Sequence, residues 1–146
     1  MTKLKLTIEF IPSSSWHNNL RNLLKPKMWD DIRKKVYQKR NFKCDICGEK
    51  RKLQAHEIWE FNQKNLTQKL IDITPLCFMC HMVKHMGFAG IMDRRQMNER
   101  LIRHFMDVNK VDRLVFQKHL KEEIKKFEDR SKYEWQLDLE NLKRFQ

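Results

Sequence analysis

Two Cys-x2-Cys pairs, Cys44/Cys47 and Cys77/Cys80, constrain this chain more than any other feature. Four thiols in two tight turns complete a tetrahedral zinc site, so the fold must bring two segments separated by 29 residues to one point. That gap is longer than in simple zinc ribbons and leaves room for a strand and a loop between the turns. His81 in place of Cys80 as the fourth ligand satisfies the same count. These are the chain's four cysteines, and the N-terminus, Met-Thr-Lys-Leu-Lys-Leu, does not read as a secretory signal. A reducing cytoplasm, where thiols hold metal rather than form disulfides, is the expected compartment.

A complete thiol set leaves other candidate ligands over. His56-Glu57 lies between the pairs, and His81 and His85 follow directly after the second. The last two are four residues apart on a predicted helix, hence on one face, the spacing by which a helix supplies two ligands to one ion. His17, His104 and His119 have no comparable neighbours and are expected to be packing or surface residues.

Periodicity places these residues on elements. Residues 3–10 alternate, with Leu4, Leu6, Ile8 and Phe10 on one side, and predict a half-buried strand ended by Pro12 and three serines. Trp29, Ile32, Val36 and Tyr37 fall at helical spacing from Pro26 to about Arg40. Gly48 relieves the backbone after the first thiol turn. A short strand over Lys52–Ile58 carries His56-Glu57, residues 61–72 read as a loop, and Cys77 opens a helix that runs through His85 and stops at Gly87. Gly87 to Gly90 reads as a linker. Helices follow over Asp93 to about Asp107, with Leu101, Ile102 and Phe105 inward, and over about Val111 to Arg130, with Leu114, Val115, Leu120, Ile124 and Phe127 inward. A last short element carries Trp135, Leu137, Leu139, Leu142 and Phe145. The organisation expected is an N-terminal strand and basic helix over 1–41, a metal-binding core over 42–90 and a helical extension over 91–146.

Lys and Arg number 31 against 19 Asp and Glu, a formal +12 that points to a polyanionic partner. The excess is local. Residues 21–52 hold twelve basic and four acidic residues, a net of +8, whereas residues 108–146 hold ten and eight, a net of +2. Arg33, Lys34, Lys39 and Arg40 lie off the apolar stripe of the basic helix and are the candidate phosphate contacts. A membrane partner is not expected: the chain has no spanning apolar run, and the basic segment lacks a long apolar face.

Cys-x2-Cys, a strand with His56-Glu57-Ile58, and Pro75-Leu76-Cys77-Phe78-Met79-Cys80-His81-x3-His85 together resemble the HNH endonuclease family in its zinc-knuckled form. The resemblance covers about residues 42–87. It implies an α+β fold, a treble-clef-like ββα-metal core that carries a structural zinc and one catalytic divalent ion, here with an N-terminal strand and a C-terminal helical extension. In that family a strand ligand is followed by the general base, which maps onto His56 and Glu57, and a loop residue, usually Asn, falls at Asp72. The resemblance therefore implies that His81, His85 and one of His56 and Asp72 hold the ion, with Glu57 as the base. The alternative register makes His56 the base; a carboxylate with a raised pKa and an imidazole can each accept a proton near neutrality.

The activity so implied is metal-dependent hydrolysis of DNA phosphodiester bonds, as an endonuclease or nickase, in the cytoplasm of a prokaryotic or phage-infected cell. Imidazole-rich coordination suits Zn, Ni, Co or Mn as well as Mg. Two other readings use the same residues: a non-catalytic zinc-finger DNA-binding protein with a degenerate site, and an interaction module. The C-terminal helices are the expected docking surface for a larger protein partner or a homodimer.

Overall fold

A computed structural model of the chain describes residues 3–86 and 95–146. The fold is mixed α+β, a three-stranded sheet with helices on both faces. The chain enters through an extended segment, a 3₁₀ turn at Ser13–Ser15, the short α1 (Leu20–Leu23) and α2 (Pro26–Lys39). Strands β1 (Leu53–Asn62) and β2 (Thr67–Cys77) pair antiparallel, from Leu53 opposite Cys77 to Asn62 opposite Thr67, with a bulge at Ile58/Trp59. After α3 (Phe78–Lys84) come α4 (Arg95–Asn109) and α5 (Arg113–Arg130). Strand β3 (Gln136–Asp138) then adds parallel to β2, and a 3₁₀ turn at Glu140–Phe145 follows.

Two apolar clusters hold the layers together. On one side Trp29, Ile32 and Val36 of α2 pack with Leu20, Leu70, Ile73 and Leu142. On the other, Leu76, Val83, Leu101, Phe105 and Phe116 surround the buried thiols and enclose Leu6 and Ile8 of the N-terminal segment. Among the described residues no helix is long and apolar enough to cross a membrane.

Residues 3–10 are not a strand. Their alternation is real, since Leu6 and Ile8 are fully buried, but the segment joins no ladder. Its amides bond to side chains instead: Lys5 and Leu6 N–H donate to Asn109 Oδ1 at 2.7 and 2.8 Å, and Ile8 N–H donates to His119 Nε2 at 2.9 Å. A period of two records alternating burial of extended backbone and says nothing of what satisfies its hydrogen bonds.

The loop expected at 61–72 shrinks to a turn over 63–66, where Leu66 takes a left-handed φ of 53°. Polar residues hid the second strand, because fully buried Gln68 interrupts its apolar pattern. Cys77 caps α3 rather than opening it, its Sγ accepting from Cys80 N–H at 3.4 Å, and the helix ends at Lys84 with His85 just beyond. The stop at Gly87, the Gly87–Gly90 linker and the expected start at Asp93 lie outside the described residues. On α5 the inward face is turned from the expected one. Phe116 is buried and Leu120 and Phe127 are partly buried, whereas Leu114, Val115 and Ile124 are exposed. Apolar residues on more than one side of that helix made its phase ambiguous from sequence.

Candidate functional site

The first thiol turn follows α2, whose last turn unwinds through left-handed Asn41 and Phe42. Gly48 N–H donates to Cys44 O at 3.0 Å and Cys44 N–H to Glu49 O at 2.8 Å, with Gly48 at a φ of 78°. The second turn is the β2–α3 junction. The four thiols converge, with all four Sγ atoms within 4.8 Å of one another and Cys47 Sγ 3.6 Å from Cys77 Sγ.

Four thiols so close cannot ionise independently. A hydrogen bond with Cys80 holds the Cys44 thiol down at about 4, and that same bond raises Cys80 far above the usual thiol range. Burial pushes Cys47 up to about 11. A divalent cation removes this conflict by taking all four as thiolates, so the cysteine set fits a structural metal such as zinc. His104 Nε2 lies 3.2 Å from Cys80 Sγ, which ties α4 to this cluster.

The second group is His56, His81 and His85, each offering one ring nitrogen within 4.8 Å of the others. Strand β1 delivers His56, and α3 delivers His81 with His85 one turn later. His81 and His85 bring their Nε2 atoms to 3.2 Å. His81 Nδ1 is 2.5 Å from Gln54 Oε1, and His56 Nε2 is 2.9 Å from Glu9 Oε2. Both of these partners are acceptors, so they fix the protons on His81 Nδ1 and His56 Nε2 and leave one unprotonated nitrogen on each ring. Burial, reinforced by neighbouring positive charge, lowers His81 to about 3 and His85 to about 4. Both are neutral at neutral pH, the state a cation needs. The donor set therefore fits a divalent ion that accepts imidazole.

Glu9 stands behind His56. Its other oxygen is 2.7 Å from Lys84 Nζ, which also donates to Thr7 Oγ1 at 2.9 Å. Desolvation raises the Glu9 carboxyl, but the His56 hydrogen bond and the Lys84 charge outweigh it and hold the group at about 2.

The remaining expected site residues are placed differently. Glu57 follows His56 on the strand, so its side chain takes the other face of β1 and accepts from Leu20 N–H of α1. Burial pushes its carboxyl up to about 7, against the Leu20 bond and the charge of Arg21. It borders a cavity of about 60 Å³ that Glu9 also lines. Asp72 is on β2 opposite Ile58, not in a loop. Its Oδ1 accepts from Ile73 N–H at 2.8 Å and its Oδ2 lies 4.0 Å from Arg40, so it is not among the clustered ligands. Of the basic candidates, Arg33 pairs with Asp30 at 2.9 Å and Arg40 with Asp45 at 3.4 Å; Lys34 and Lys39 are exposed without an ion pair among the described residues.

Glu9, Gln54, Lys84 and His104 were not visible as site residues in the sequence. Only Glu9 left a trace, as the acidic residue on the polar side of the alternating segment. Comparison of the chain with family models, with curated proteins and with solved structures returns no match in any of the three.

Proposed function

We propose that this chain is a metal-dependent endonuclease or nickase of the HNH type, hydrolysing DNA phosphodiester bonds on a treble-clef-like core whose four cysteines hold zinc. The observation that carries this reading is the trio His56, His81 and His85, two of whose rings have their tautomers fixed by Glu9 and Gln54. Any buried imidazole needs an acceptor for its N–H, but packing alone does not call for three rings that each bring a nitrogen within 4.8 Å of the others. His56, His81 and His85 would hold the working ion, one of Mg, Mn, Ni, Co or Zn, and Asp72 is not needed for it. Such an ion supplies positive charge where negative charge develops on the phosphate and on the departing 3′ oxygen.

The chain's residues supply the rest. A water attacks phosphorus and gives its proton to a base of the chain, the P–O3′ bond breaks, and the 3′ oxygen takes a proton from solvent. Glu57 is one candidate for that base, with a carboxyl raised to about 7, but its side chain lies on the face of β1 opposite His56 and the cavity it borders is lined by none of the three histidines. Its bond to Leu20 supports a second assignment, in which His56 accepts the proton with Glu9 behind it and His81 and His85 alone hold the ion. Exposed Lys34 and Lys39 would meet the phosphate backbone without reading sequence. The reducing cytoplasm suits thiols kept for metal.

The test is cleavage of supercoiled plasmid by zinc-loaded protein with a panel of divalent ions, beside His81→Ala. Nicked or linear product from the parent and none from the variant is expected. Salt-dependent DNA binding without cleavage under any ion would instead identify a zinc-finger binding protein, and absence of both would leave the interaction module, with its C-terminal helices as the docking surface.

A further inference from the structure

Glu9 reaches the histidine site from 47 residues away in sequence and is fixed there at several points. Its amide donates to Lys84 O at 3.0 Å, and its Oε1 pairs with Lys84 Nζ. Lys84 is 6% exposed, and a buried ammonium is costly unless it is paired and hydrogen-bonded, so Glu9 and Thr7 are what allow it to sit there. One carboxylate oxygen would meet that need. The second is directed at His56 Nε2 at 2.9 Å, and His56 itself is 3% exposed. The backbone around Glu9 is tied down by Asn109 at Lys5 and Leu6 and by His119 at Ile8.

We propose that Glu9 is a positioning residue of the histidine site: its carboxylate selects the Nε2–H form of His56 and leaves Nδ1 as the nitrogen available to an ion, while Lys84 and Thr7 hold the carboxylate in place. This rests on the reading of His56, His81 and His85 as one ion site. A carboxylate bonded to the outer nitrogen of a ligating imidazole fixes ring orientation and strengthens the ligand, and its loss lowers metal affinity by about 10- to 100-fold.

The experiment is calorimetric titration of zinc-loaded protein with Ni(II), beside long-range ¹H–¹⁵N spectra of the His56 ring without added nickel. The parent should bind one Ni(II), His81→Ala none, and Glu9→Ala with an affinity lowered by about 10- to 100-fold. Glu9→Gln, which retains an acceptor oxygen and nearly the same shape, should recover part of the loss. The parent ring should be in the Nε2–H form, and Glu9→Ala should shift it toward a mixture; a carboxylate that served only Lys84 would leave the ring unchanged. Should Glu9→Ala not fold, Glu9→Gln decides through the same two readouts, with weaker nickel binding or a changed ring expected. Parent-like affinity and an unchanged tautomer in the folded variants would overturn the proposal while the ion site stands. Absence of Ni(II) binding by the parent would bring down the ion site and this inference with it.

Discussion

Asp45 donates its backbone N–H to the carbonyl of Pro75 at 2.8 Å, joining the first thiol turn to the strand that ends in the second. The bond helps to set the distance between the two Cys-x2-Cys turns. Leu53 opposite Cys77 closes the other side of the same junction. The thiols thus lie where β1, β2 and α3 meet, and their loss should be felt throughout that layer.

Replacing Cys44 or Cys77 by Ser is therefore expected to release the structural metal and to lower the melting temperature sharply, since zinc sites of this kind contribute on the order of 10 kcal/mol. Metal content by elemental analysis and a thermal melt check it. An unchanged metal content and melting temperature in Cys77→Ser would refute the site.

His81→Ala and His85→Ala should abolish plasmid cleavage while DNA binding and structural zinc remain, because those rings belong to the second cluster only. Glu57→Gln keeps size and loses the ability to accept a proton, so turnover should fall by about two to four orders of magnitude. If Glu57→Gln cuts normally and His56→Ala is inactive, the proton goes to His56 or the ion requires it. Gel assays with matched binding curves separate these outcomes.

Stability should depend on pH in a defined direction when the histidine site is metal-free and the thiols are zinc-loaded. Folded His81 and His85 stay neutral down to about 3 and about 4, whereas the unfolded chain protonates each near 6.5. Unfolding takes up protons, so this stability is present above 6.5 and is lost as pH falls through the folded values. Glu57 has the opposite sign: its folded carboxyl keeps a proton up to about 7, so its contribution is present below 4.5 and fades as pH rises through 7. Between pH 5 and 6 these terms leave roughly one proton taken up, and Glu57→Gln should raise that to roughly two. Melting temperatures across that interval measure it; parallel curves for parent and variant would show that Glu57 titrates at its ordinary value.

Salt dependence of DNA binding should sort the basic residues by whether they are already paired. Lys34→Ala with Lys39→Ala should flatten the slope of log affinity against log salt by about 0.9 for each phosphate no longer neutralised. Arg33→Ala should change it less, because Asp30 already opposes that charge. Equal effects at all four basic positions would show that the pairs open on binding.

The sequence was legible where a local rule sets the geometry. A Cys-x2-Cys turn can place its thiols in few ways, and the i, i+4 spacing keeps His81 and His85 on one side even though α3 ends between them at Lys84. His56 joins that pair only through the register of β1 on β2, with the bulge after Ile58, and Glu57 is directed to α1 for the same reason. The count back from His81 picks out Asp72, but its carboxylate accepts from Ile73 N–H and faces Arg40, a residue of the α2 terminus that no spacing rule connects to it. Glu9 and Lys84 meet across 75 residues, and that pairing is decided by tertiary packing alone.

The clamp that Asn109 and His119 place on residues 5–8 has a consequence for the order of assembly. Residues 44–80 carry all four thiols and are complete once β2 and the start of α3 have been synthesised. The carboxylate that meets His56 belongs to a segment whose anchors are synthesised more than a hundred residues later. A nascent chain would thus pass through a stage with all four thiols made and its histidine cluster unbraced, and full ion affinity would arise only once α4 and α5 had closed over the N-terminus. Every unfinished copy would then hold an ion at that site about 10- to 100-fold more weakly than the finished fold does.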